Sequence, residues 1–246
     1  MKLITQHEIT KYVEDHIQSF HQRRIESLQK LKLMDVIKRK NPYLFKAKDI
    51  NCASDFVKKI LDARLSSQEE TIFGDFLEGL AIFINTKVFD GHKSSAEGID
   101  LEFEKDNIRY IVSIKSGPNW GNSSQISKLK DNFRKAKRII GTNQSAINVV
   151  AINGCCYGKS RNHDKGEYLK YCGQTFWEFI SGDSNLYTEI IEPLGHQAKE
   201  RNEQFKMEYD NVINKFPGEF ISRFCDNNGQ ILWDEVIKFN SSDKTS

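Results

Sequence analysis

The chain has 246 residues, 36 of them Lys or Arg and 34 Asp or Glu, with 38% hydrophobic and 28% charged residues. That composition reads as a globular protein with a sizeable core, in one large domain or two small ones, and the net charge of +2 points to no partner by itself. No segment approaches the roughly 20 apolar residues of a membrane helix, and the opening MKLITQHEITKYVEDH turns polar too soon for a signal peptide, so no membrane contact and a cytoplasmic location are expected.

Over residues 8–38, Ile9, Val13, Ile17, Phe20, Ile25, Leu28 and Leu31 recur every three to five positions. That spacing predicts a long amphipathic helix with room for one break, ended by Asn41-Pro42. A short helix is expected over 53–65, with Ser54 as its cap. Ser66-Ser67 ahead of Glu69 and Glu70 then reads as the start of another, whose Phe73, Phe76, Leu77, Leu80, Ala81 and Ile84 form a broad apolar face. Asp90-Gly91 opens a loop. Two strands follow, over 98–103 and 108–115, joined by a hairpin connection at 104–107.

After a Gly-Pro loop, Ile126, Leu129, Phe133, Ala136 and Ile140 mark one face of a helix. Around that face stand six basic residues (Lys128, Lys130, Arg134, Lys135, Lys137, Arg138) against one acid, Asp131, which is the composition of a phosphate-facing patch. AINVVAIN (146–153) is a buried-type strand, 154–166 a polar and basic loop, and a helical part begins at 175–180. A long polar helix is predicted near 187–215 and a last one near 231–239. Helix, hairpin, helix, strand, flanked by helices, argues an α/β fold with a mixed central sheet. The five cysteines form no CxxC pair and are expected to be reduced and buried. A zinc set of Cys155, Cys156, His163 and Cys172 is disfavoured because adjacent cysteines chelate poorly.

The chemistry is concentrated in EGIDLEFEKDNIRYIVSIKSG. Asp100 precedes the hairpin turn by about as many residues as Ser113 and Lys115 follow it, so alternation can gather the three in one patch. A carboxylate is a hard ligand for Mg²⁺, and a Lys beside it can orient water and offset charge on a phosphate. By spacing alone, a surface Asp and a surface Lys on an ordinary hairpin are the favoured explanation of the pattern.

Asp100 followed by Ser113-Ile114-Lys115, after a helix bearing Glu78, resembles the PD-(D/E)XK nuclease core. More of the chain is similar to type II restriction endonucleases of the PmeII-type group, through NPYLFKAK (41–48), SSQEETIFGDFLEGLA (66–81), IKSGPNWGNSSQ (114–125) and FWEF (176–179). The resemblance implies a restriction-endonuclease-like core with a mixed central β-sheet flanked by helices, within a single domain over 1–246. Its parts are a helical N-terminal part (1–65), a catalytic core (66–182) and a helical C-terminal part (183–246). It implies that Asp100 and Glu78 bind Mg²⁺ with help from the Ile114 carbonyl, and that Lys115 positions water. Ser113 stands where the motif has a carboxylate, and Ile99 where it has Pro.

DNA contacts are expected from Asn119, Asn122, Ser123, Ser124, Gln125, Lys128, Lys159 and Arg161. Gln125 reads equally as a helix cap, and Trp120 as a packing residue or a stacking surface. The implied protein is a homodimer that cuts both strands of DNA at a short palindromic site, with a cognate methyltransferase encoded nearby. The rival is a non-catalytic DNA-binding protein on a decayed nuclease core. A purely structural role leaves Asp100 and Lys115 unexplained.

Overall fold

The computed structural model describes residues 2, 4–143 and 148–243. The chain divides into two compact units, one of Met1–Gln18 and Phe73–His196, the other of Ser19–Ile72 and Gln197–Ser246. In chain order the elements are α1 (Gln6–Gln29), α2 (Leu33–Lys38), α3 (Pro42–Ala47), α4 (Ala53–Phe89), β1 (His92–Lys93), β2 (Leu101–Lys105), β3 (Ile108–Lys115), α5 (Ser123–Asn143), β4 (Asn148–Cys155), β5 (Leu169–Cys172), α6 (Gln174–Ser181), α7 (Leu186–Glu189), α8 (Ile191–Leu194), α9 (Ala198–Phe224) and α10 (Trp233–Ser241). The fold is α/β, with one β-sheet among elements that, over the described residues, are mostly helical.

The first unit holds a five-stranded sheet in the order β1-β2-β3-β4-β5. The β1–β2 and β2–β3 pairs are antiparallel; the β3–β4 and β4–β5 pairs are parallel. The sheet is therefore mixed. Asp106 and Asn107, both at positive φ, make the two-residue turn between β2 and β3, a conformation that Asp and Asn tolerate better than most residues. α5 covers one face through Leu129, Phe133 and Ala136, packed with Ile111, Ala151 and Tyr168. On the other face Phe103, Tyr110, Tyr171 and Phe179 form a chain of ring contacts at 5.0–5.4 Å, and Phe176 lies so close to Gly154 that any β-carbon there would strike its ring.

The second unit is helical. Leu33, Val36, Ile37, Phe45, Phe56, Val57, Ile60, Phe216, Phe220, Phe224 and Val236 form its core. Arg24, its side chain 12% exposed, bonds Glu69 at 2.6 Å and lies 4.2 Å from the Phe205 ring centroid. A smaller cluster of Leu28, Leu61 and Leu65 packs against Tyr209, Val212 and Ile213.

Several expected boundaries are corrected. The helices placed either side of Ser66-Ser67 are one helix, α4, and Ser54 lies inside its first turn. Ser costs a helix only about half a kcal/mol, which is outweighed by burial of Leu61, Leu65 and Ile72 on either side. The break in the first helix falls at 30–32. Asn41-Pro42 starts a helix as well as ending one: Asn41 caps α3 through its side chain, with Pro at the first position.

Two strands escaped prediction, β1 and β5. β2 begins later than expected, at Leu101. β4 runs on through Gly154 to Cys155, while Ala146 and Ile147, placed in this strand by the sequence, lie outside the described residues. The polar helix near 187–215 is α7, α8 and the start of α9, which continues past Pro217 to Phe224. Burial of Phe216, Phe220 and Phe224 on one face overrides the hydrogen bond lost at Pro217.

Candidate active site

The site is built at the end of β3. Gly98 adopts φ +72 and passes against the Asn132 amide, where a β-carbon has no room, and this turn delivers Ile99 and Asp100 to the sheet. The Asp100 N–H donates to the Val112 carbonyl at 2.8 Å, one step beyond the Leu101–Val112 pair. That register sets the Asp100 side chain beside the tip of β3. Its Oδ2 accepts the Ile114 N–H at 2.6 Å and the Ser113 hydroxyl at 3.4 Å, and lies 3.8 Å from Lys115 Nζ. Lys115 Nζ also donates to the Ile114 carbonyl at 2.9 Å and sits 5.5 Å from the Trp120 ring centroid. Asp100, Ser113, Ile114 and Lys115 thus stand together.

Glu78 approaches from α4. Burial pushes its carboxyl above the ordinary carboxylate range, and the negative charge of Asp100 raises it further, against the pull of Lys93 and Lys115. Lys93, on β1, holds it at 3.4 Å. Two carboxylates sharing a partly buried site are mutually costly, and a cation between them removes the cost. The donor set suits a hard divalent ion: among the described residues the side-chain contacts of Asp100 fall on Oδ2, Glu78 adds a second carboxylate, and the Ile114 carbonyl lies beside Lys115 Nζ. Among the described residues no group of three or more His, Cys, Asp or Glu side chains gathers to hold a metal. Mg²⁺ commonly takes one or two carboxylates and completes its shell with waters and phosphate oxygens.

The other nearby acids lie elsewhere. Glu102 takes Ser94 Oγ at 2.5 Å and Arg109 at 2.9 Å. Burial raises its carboxyl, but those two donors win and hold it below the ordinary range. Glu97 pairs at 3.4 Å with exposed Lys128.

Of the residues expected to meet DNA, Asn119, Ser123 and Ser124 are exposed in the loop and first turn of α5. Asn122 and Gln125 form a reciprocal cap: Asn122 Oδ1 accepts from Gln125 N at 3.1 Å, and Gln125 Oε1 accepts from Asn122 N at 3.0 Å. Trp120 donates to Asn153 at 3.1 Å and packs against the core of the sheet unit. Much of the basic patch on α5 is held within the molecule, since Glu167 takes Lys130 at 3.3 Å and Arg134 at 2.6 Å.

Lys159 and Arg161 are exposed on the loop after β4. This loop is tied to the β3 tip where Cys156 N donates to the Lys115 carbonyl at 2.9 Å and Tyr157 N to the Ser116 carbonyl at 3.1 Å. The two basic residues, with Tyr157 and Tyr187, line a recess of about 810 Å³. The thiols of Cys155 and Cys156 are buried, and burial raises both.

Sequence reasoning missed four residues around this site. Lys93 neutralises part of Glu78, and Asp75, one turn earlier on α4, lines the same recess of about 470 Å³. Buried Asn153 donates to the Ser113 carbonyl at 3.2 Å, and Lys170 donates to the Pro118 carbonyl at 2.7 Å. Asn153 carried a signal, as an amide directly after the apolar run of Val149, Val150, Ala151 and Ile152. Lys93 and Lys170 carried none, because both sit on strands too short to register.

A mixed five-stranded sheet flanked by helices is a restriction-endonuclease-like α/β core. The family model of the type II restriction endonuclease EcoO109I matches residues 7–202, and the chain belongs to that family. Among curated proteins, none matches it.

Proposed function

We propose that this chain is a Mg²⁺-dependent, sequence-specific type II restriction endonuclease of the PD-(D/E)XK kind, close to the PmeII-type group. It acts as a homodimer in the cytoplasm on a short palindromic site in double-stranded DNA, opposed by a methyltransferase encoded nearby. The observation that carries this reading is Asp100 Oδ2 standing 3.8 Å from Lys115 Nζ at the tip of β3, with Glu78 on α4 near enough for the charge of Asp100 to raise its carboxyl.

In phosphodiester hydrolysis a water oxygen bonds to phosphorus and loses one proton to solvent, while the bond to the leaving sugar oxygen breaks and that oxygen takes up a proton from solvent water. Asp100, Glu78 and the Ile114 carbonyl would hold Mg²⁺, which when bound supplies positive charge against the extra negative charge of the transition state. Lys115 orients the attacking water and faces the phosphate. The Ile114 N–H and the Ser113 hydroxyl hold the Asp100 carboxylate in place through Oδ2. Asn119, Asn122, Ser123, Ser124 and the amide of Gln125 offer donors to backbone phosphates, and Lys128, Lys159 and Arg161 offer charge. Glu78 takes the place of the carboxylate missing at Ser113.

Ser113 favours a second reading, a DNA-binding protein on a core that no longer cuts. Incubation with long unmethylated DNA, with and without Mg²⁺, separates them. Discrete fragments that require Mg²⁺ support the nuclease; retarded but intact DNA supports the binder.

A further inference from the structure

The helical unit holds a recess of about 230 Å³ lined by α1, α2 and α4, with Ser27, Lys30, Lys32, Arg39, Arg64 and Gln68 on its walls. Its charge is lopsided: four cations stand there against one carboxylate, Asp35. Lys30 is drawn to Glu26 at 3.6 Å across an exposed pair. Among the described residues, Lys32, Arg39 and Arg64 enter no ion pair or side-chain hydrogen bond, unlike Arg24 nearby. Gathering unpaired cations raises the local potential and costs stability unless an anion visits.

Polar satisfaction points the same way. Ser27 Oγ and Gln68 Oε1 are buried and have no hydrogen-bond partner. Buried polar atoms without partners are uncommon and call for a ligand or water. A hydroxyl can donate, and half a turn of the Gln68 amide exchanges its oxygen for two N–H donors. The volume suits a tetrahedral anion with several waters, each taking about 30 Å³. We infer that this recess is a phosphate-binding site, in which Arg39, Arg64 and Lys32 supply the charge and Ser27 and Gln68 supply neutral donors.

The phosphate comes from a DNA backbone or from a small phosphorylated molecule. Taking DNA as the source rests on the nuclease reading above; the affinity of the recess for phosphate does not. Two arms distinguish the sources. In the first, DNA affinity is followed without divalent metal between about 50 and 200 mM salt for wild type, Arg39→Gln/Arg64→Gln, and the exposed control pair Lys58→Gln/Lys59→Gln. Each phosphate contact contributes about 0.9 to the salt slope, so the Arg pair should lower the slope by about 0.9 to 1.8 and the control pair by less. In the second arm, inorganic phosphate is titrated calorimetrically into wild type and into the Arg variant.

A slope loss confined to the Arg pair supports the site with DNA as its ligand. An unchanged slope, with phosphate bound by wild type and lost in the variant, supports the site with a free phosphate as its ligand. An equal loss in both pairs without phosphate binding, or no change in either arm, overturns it. Should the Arg variant misfold, Arg39→Lys/Arg64→Lys keeps the charge and is expected to retain binding, and the wild-type titration stands without any variant. Failure of wild type to bind DNA counts against the nuclease reading and leaves the second arm to decide the site.

Discussion

Lys115 and Asp100 touch one another at their edges, yet they answer to different tests. Lys115→Ala removes one positive charge among many phosphate contacts, so DNA affinity should change by only a few-fold. Cleavage should fall on the order of a hundred- to a thousandfold, the scale of losing one positioned group at the reacting centre. Wild-type rates in single-turnover assays would remove Lys115 from the mechanism. Glu78 and Glu102 form a matched contrast. Glu78→Gln takes away a carboxylate that burial and Asp100 hold above the ordinary range, and should cripple Mg²⁺-dependent cutting. Glu102→Gln only loosens a link to Ser94 and Arg109 and should cut at near-normal rates. A dead Glu102→Gln beside an active Glu78→Gln would move the second metal ligand.

The same raised carboxyl sets a pH dependence. Below its ordinary value of 4.5, Glu78 is neutral folded and unfolded, and its burial costs little. As pH rises through the elevated folded value, the metal-free protein must either keep the proton or charge the group beside Asp100, and stability declines relative to a neutral side chain. Glu78→Gln should therefore melt higher than wild type at pH 7, by a few degrees for a change on the order of 1 kcal/mol, and the gap should close near pH 4. Added Ca²⁺, another hard oxygen-binding ion, should stabilise wild type at pH 7 and not the variant. Differential scanning at both pH values reads this; a variant less stable at pH 7 would contradict the electrostatic account.

Among the elements, α4 gives the sharpest test of packing over local signal. With one helix through Ser66-Ser67, Ser67→Pro removes a hydrogen bond and clashes with the preceding turn, at about 3 kcal/mol or more. Were a second helix to start there, Pro would be tolerated at its first position. A melting temperature unchanged in Ser67→Pro would restore the break. The hairpin was legible because the turn at Asp106-Asn107 and the alternation of β3 leave little freedom of register, and that register brings Asp100 to Lys115. Glu78 stands out in the sequence as a carboxylate among Phe76, Leu77 and Leu80, and it lies 3.4 Å from Lys93. β1 and β5 were not legible, since two and four residues carry no measurable period and owe their conformation to pairing with β2 and β4. The bonds of Asn153 and Lys170 join residues 40 and 52 positions apart, and no local pattern encodes such a separation.

For the whole molecule, a palindromic site calls for a two-fold dimer, in which each protomer meets one strand. The helical unit has its own core of Phe56, Phe216, Phe220 and Phe224, and the proposed dimer would draw on it for assembly. Sedimentation at micromolar protein should give a species of twice the 28.5 kDa chain mass, free and on DNA; a monomer in both states would rule the dimer out. The most direct measurement incubates purified wild type and Lys115→Ala with long unmethylated DNA in Mg²⁺ and in EDTA. The account predicts a fixed ladder of fragments from wild type in Mg²⁺ alone, and intact, retarded DNA from Lys115→Ala. Intact DNA from wild type in Mg²⁺, or the same ladder from both proteins, would contradict it.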